Sequence, residues 1–79
     1  MSKAEKMFNE LGYGLTRKDG NYLVYVRNDN FNWVISFNLR DKKYNLELTN
    51  YFGDFQKFTT SYKLHEAITQ QIKELGWLE

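Results

Sequence analysis

Cysteine and proline are both absent from these 79 residues, glycine occurs only 5 times, and neither sign of charge prevails: 11 Lys and Arg stand against 10 Asp and Glu, a net charge of +1. Without cysteine there is no disulfide framework and no thiolate metal site. Without a surplus of positive charge, a dedicated electrostatic binder of nucleic acid is disfavoured. No stretch approaches the ~20 consecutive apolar residues of a membrane span. Met1-Ser2-Lys3-Ala4-Glu5-Lys6 is charged and opens no apolar core of a secretion signal. With the missing cysteine and the many asparagines, this leads to the expectation of a cytoplasmic protein. The closing Leu78-Glu79 has the look of a tag junction and carries no weight.

Apolar and aromatic side chains are plentiful, at 42% and 18%. That is too apolar for a disordered tail. The length suits one domain spanning 1–79. Ordering a chain costs roughly 1.5 kcal/mol per residue, and with no crosslinks hydrophobic burial must offset it. The aromatics supply most of that burial, at ~150–250 Å² each.

Two segments carry helical periodicity. Ala4, Met7, Phe8 and Leu11 form one stripe, followed by Gly12. Leu64, Ala67, Ile68, Gln71, Ile72 and Leu75 form a second, followed by Gly76. Both end Glu-Leu-Gly-aromatic, a helix stop in which glycine takes the left-handed conformation and the aromatic folds back onto the last turn. Ser61 is the best N-cap for the second helix, with Thr60 as the alternative.

Strand-like sequence lies between them. Phe31, Trp33, Ile35, Phe37 and Leu39 alternate with Asn32, Val34, Ser36, Asn38 and Arg40, which predicts a strand with one buried face. Tyr44, Leu46 and Leu48 continue the pattern in a following strand. Tyr22–Arg27 and Tyr13–Lys18 precede them. Asp19-Gly20 is a strong hairpin turn, and Asn28-Asp29 and Asp41-Lys42 are weaker ones. With two-residue loops at each, Leu15 faces Val24, Val26 faces Phe31, Val24 faces Trp33, Leu39 faces Tyr44, Phe37 faces Leu46 and Ile35 faces Leu48. The expected fold is α+β: a four-stranded antiparallel meander, entered and left by helices packed on one face (α-β-β-β-β-α). Asn50–Thr60, with four aromatics around Gly53-Asp54, reads as either a short fifth strand or an ordered loop.

Chemistry-bearing patterns are sparse. His65 is the lone histidine, in the first turn of a helix with no matched nucleophile, and reads as a surface residue. Asp19, Asp29, Asp41 and Asp54 each sit in a turn, where Asp bonds to nearby backbone. No metal-ligand spacing, phosphate loop or cofactor motif is present, and an enzyme is not expected. The predicted register leaves Leu23, Tyr25 and Val34 on the open sheet face as a small apolar centre with a polar rim, the form of a modest binding patch. Together with Tyr51, Phe52, Phe55 and Phe58 these residues make the candidate partner surface. Exposed apolar groups there suit a homodimer as well as a foreign partner. Arg17, Lys18, Arg27, Arg40, Lys42 and Lys43 are the candidate contacts for weak nucleic-acid binding, provided they line one surface.

The opening Met7-Phe8-Asn9-Glu10-Leu11-Gly12-Tyr13, the strand Tyr22-Leu23-Val24-Tyr25, the strand Ile35-Ser36-Phe37 and the closing Leu75-Gly76-Trp77 resemble those of small uncharacterised prophage-type proteins of Gram-positive bacteria. The shared motifs are helix stripes, caps and strand alternation, so the resemblance implies a phage or prophage setting and no particular activity. The order of elements is also similar to that of double-stranded-RNA-binding domains. Those read RNA through a basic Lys-Lys-x-Ala-Lys stretch at the second helix's start, where this chain has Lys63-Leu64-His65-Glu66-Ala67 and lacks the cluster. The expectation is a small non-catalytic protein acting through protein–protein interaction, with weak nucleic-acid binding as the alternative.

Overall fold

In the computed structural model, which describes residues 1–78, the chain runs α1 (Lys3–Glu10), β1 (Gly14–Lys18), β2 (Tyr22–Asn28), β3 (Asn32–Asn38), β4 (Lys43–Thr49) and α2 (Tyr62–Glu74). Glu79, one of the two closing residues, lies outside the described residues. The strands form one antiparallel sheet in the order β1-β2-β3-β4, the expected meander. No helix among the described residues is long and apolar enough to cross a membrane.

Both helices begin and end as their sequences dictate. The Ser2 hydroxyl accepts from the Glu5 N–H at 3.1 Å, and the Ser61 hydroxyl accepts from the Leu64 N–H at 3.2 Å. Each bond satisfies one of the orphan donors of a helix start. Gly12 and Gly76 both take positive φ, at 90° and 76°. Tyr13 N–H then reaches back to the Phe8 carbonyl and Gly12 N–H to that of Asn9. Trp77 and Gly76 repeat the pattern onto Ile72 and Lys73. The two helix ends are therefore the same Schellman motif. In each, the aromatic beyond the glycine is turned back toward the core: Tyr13 meets Phe8 edge-on at 6.1 Å, and Trp77 lies 6.0 Å from Phe37.

The core is aromatic and lies between the helices and one face of the sheet. Phe8 of α1 stacks on Tyr25 of β2 at 4.0 Å and meets Phe37 of β3 edge-on. Leu23, Ile35, Leu64, Ala67 and Ile68 complete the buried cluster. Among the described residues one polar side chain, Gln71, is buried with them, and its Oε1 accepts from the Tyr25 hydroxyl at 2.7 Å. Burial and the nearby charges of Glu5 and Glu74 push the Tyr25 phenol well above its ordinary value, so it remains a donor.

The strand pairing corrects the expected register. Leu23 pairs with Phe37 and Tyr25 with Ile35, so Leu23 and Tyr25 face the core and not the open side. Asn28 pairs with Asn32, leaving a three-residue loop at Asp29–Phe31 where two residues were expected. The shift against the expected pairing is odd, and an odd shift turns every β2 side chain to the other face. Asp29 holds the loop: its carboxylate accepts from Phe31 N–H at 2.8 Å, Trp33 Nε1 at 3.0 Å and Arg27 at 3.0 Å. Between β3 and β4 the shift is even, so faces are kept while partners change: Phe37 pairs with Tyr44, Ile35 with Leu46 and Trp33 with Leu48. The connection is a four-residue turn, Leu39–Lys42, with Lys42 at φ 54° and the Asn38 side chain accepting from Arg40 and Asp41 N–H. Phe31, Leu39 and Arg40 therefore fall in turns and not in β3. Leu15 pairs with Tyr25 in place of Val24, and the β1–β2 register then slips at a bulge around Thr16.

Candidate interaction surface

Asn50–Asp54 folds into a tight turn at the end of β4. The Asn50 carboxamide oxygen accepts from both Phe52 and Asp54 N–H at 2.9 Å, while Asn50 N–H donates to the Asp54 carbonyl. Gly53 takes φ 86°, a conformation open to glycine and costly for other residues. Beyond the turn, Thr49 bridges to Phe55 and Gln56 N–H donates to the Leu48 carbonyl at 2.7 Å. So of the two alternatives Asn50–Thr60 is the ordered loop and not a short fifth strand. It makes one rung against β4 and then leaves the sheet. Tyr51, Phe52 and Phe55 stand out from this braced turn, 89%, 85% and 74% exposed. Phe58 does not join them; it is half-buried and packs edge-on against Trp33 at 5.3 Å.

The open sheet face has a different membership from the expected one. Leu23 and Tyr25 leave it for the core, while Val34 stays, facing Val26 across the ladder. Val24 and Tyr22 share that face, and all four are only partly exposed. The apolar centre therefore persists as Tyr22, Val24, Val26 and Val34, with the Arg17 guanidinium lying over the Tyr22 ring at 4.7 Å. Sequence reasoning missed it because Tyr22–Val26 is apolar at every position, so alternation could not choose a phase.

Five of the six candidate cations gather at one end of the sheet. Leu39 N–H donates to the Asn21 carbonyl at 2.9 Å, tying the β1–β2 and β3–β4 turns together. This places Arg17, Lys18, Arg40, Lys42 and Lys43 at that end. Arg27 is at the opposite end, lying over Trp33 at 4.3 Å and paired with Asp29, its Nε buried without a hydrogen-bond partner. The basic end is also partly neutralised, since Arg17 pairs with Asp19 at 2.6 Å.

Asp19 is held down to about 2 by the Arg17 bond, with further bonds from Asn21 and Tyr22 N–H, against an ordinary 3.8. Asp29 is lowered too, first by the Phe31 N–H and then by Trp33. A carboxylate with a lowered folded-state pKa stabilises the fold above its unfolded value and loses that contribution as pH falls through the folded one. Urea unfolding across this window is therefore expected to show stability falling from about pH 4 toward pH 2, and falling less in Asp19→Asn. Equal slopes in the two proteins would disprove a stabilising role for the Asp19 carboxylate.

A cleft of about 430 Å³ opens between the helices and the same end of the sheet, over Tyr25 and Gln71 and rimmed by Glu5, Lys18, Asp19 and Glu74. Sequence reasoning did not anticipate it. The one signal was Gln71, a polar residue on the apolar stripe of α2. Burial works against the Glu74 charge, but hydrogen bonds from Gln70, the Ala4 N–H and Ser2 outweigh it and leave its pKa lowered. His65 is exposed in the first turn of α2. Among the described residues no three His, Cys, Asp or Glu side chains gather around a point where a metal ion could sit. Comparison of the chain with protein-family models, with curated proteins and with solved structures found no match.

Proposed function

We propose that the protein is a small non-catalytic interaction module of the cytoplasm that binds a protein partner through the Asn50–Phe55 turn. The observation that carries this reading is the exposure of Tyr51, Phe52 and Phe55 on a turn whose backbone is already hydrogen-bonded in place. Tyrosine and phenylalanine are enriched at interfaces, and tyrosine is among the residues that most often dominate binding energy there. Presenting them on a preformed turn lowers the entropy lost on association. A solvated loop with no partner gains nothing from three such groups. The resemblance to prophage-type proteins makes a bacterial host or phage protein the partner class to search.

Affinity capture with the wild-type protein as bait, beside a Tyr51→Ser, Phe52→Ser, Phe55→Ser variant, tests this. A partner held by the wild type should be lost or weakened roughly tenfold or more by the variant, about 1.4 kcal/mol or more of binding, with no fall in melting temperature. A partner bound equally by both would overturn the proposal.

One observation supports a second reading, weak nucleic-acid contact: the two tied turns bring Lys18, Arg40, Lys42 and Lys43 to one end of the sheet. Amide shifts on those residues on titration with RNA or DNA, fading as salt is raised, would favour it. No shifts at low salt would remove it.

A further inference from the structure

The sheet has two edges, and they differ. β1 is short, interrupted by its bulge, and carries Arg17 and Lys18. All of these discourage strand addition. β4 pairs with β3 over Lys43–Thr49 with no bulge. Among the described residues its outer side is used only at the far end, where the Leu48 carbonyl accepts from Gln56 and Asn50 N–H donates to Asp54. Backbone groups alternate sides along an antiparallel strand. If those of Leu48 face outward, so do the N–H and C=O of Leu46 and Tyr44, over a stretch that Gln56 does not reach.

The side chains of this stretch are complementary to themselves. Centred on Asn45, an antiparallel copy of β4 places Lys43 opposite the partner's Glu47 and Glu47 opposite the partner's Lys43. It also places Tyr44 opposite the partner's Leu46. The outward-facing Tyr44 and Leu46 then exchange N–H···O bonds. Lys43 and Glu47 fall at the non-hydrogen-bonded pairs, where side chains come closest. A two-residue slip one way sets Glu47 against the partner's Asp41. A slip the other way needs the Leu48 carbonyl, which Gln56 already occupies. Lysine on an edge strand ordinarily deters pairing, but Glu47 on the same face reverses that for a second copy of this chain. Tyr44, 43% exposed on the helix side of the sheet, would be covered by the same contact.

We propose that β4 is a homodimer interface that joins two four-stranded sheets antiparallel into one, closed by a two-fold axis at Asn45. Sedimentation analysis across micromolar to millimolar concentration should show a reversible dimer. Lys43→Glu and Glu47→Lys should each weaken it by about tenfold or more, since each sets like charges opposite twice over. An equimolar mixture of the two variants should restore the dimer, because every facing pair is again opposite in sign. The double variant Lys43→Glu, Glu47→Lys should restore it too. All positions changed are exposed, and unchanged melting curves would show that the fold is kept. A wild type that stays monomeric throughout would overturn the proposal, as would single variants that dimerise like wild type or a mixture that stays monomeric.

Discussion

Phe8→Ala is expected to cost about 3–5 kcal/mol, the range for removing a buried phenylalanine. Phe8 has no exposed surface, stacks on Tyr25 at 4.0 Å, and meets both Tyr13 and Phe37 edge-on. It is where α1, the sheet and the Schellman turn at Gly12 converge, so the cavity left behind has aromatic walls that cannot easily collapse. At roughly 0.05–0.15 kcal/mol per residue, a domain of this size holds about 4–12 kcal/mol, so the loss removes a large share of its stability. Denaturant unfolding should show a midpoint lowered by at least about a quarter. Phe55→Ala, at a ring 74% exposed, should stay within ~0.5 kcal/mol of wild type. Similar losses in the two variants would mean that Phe8 is not at the centre of the core.

The second large effect tests the phase of β2. Leu23→Ala should cost about 2–5 kcal/mol, because Leu23 is buried against Phe37 in the observed pairing. The neighbouring Val24→Thr, which keeps the branched shape on the open face, should cost less than ~1 kcal/mol. Chemical denaturation of the two variants decides between the phases. If Val24→Thr were the more damaging change, β2 would face the other way, and Leu23 and Tyr25 would return to the open surface.

The charged turn residues show why some of this could be anticipated. Asp19, Asp29 and Asp54 each sit in a turn, and Asp19 and Asp29 accept local backbone N–H groups. That use follows from the short carboxylate side chain and needs no distant partner. Loop length was less legible. Asp29 takes bonds from Trp33 and Arg27 as well as Phe31, and those contacts exist only once β2 and β3 are paired. The aromatic turn was visible as an unusual composition, but its split into exposed Tyr51, Phe52 and Phe55 and a docked Phe58 depends on Trp33, far away in the chain.

Local sequence by itself determined the two helices, the Ser61 cap of the second, their glycine stops and the order of four strands, because capping, glycine's positive φ and two-residue alternation act over a few neighbouring residues. Only the tertiary structure decided which face of β2 is buried. Tyr22–Val26 is apolar on both sides, so alternation is silent there, and the choice fell to the fit of Tyr25 between Phe8, Phe37 and the Gln71 carboxamide. That choice places Val24 and Val26 on the open face and leaves the braced aromatic turn as the most exposed apolar feature of the fold.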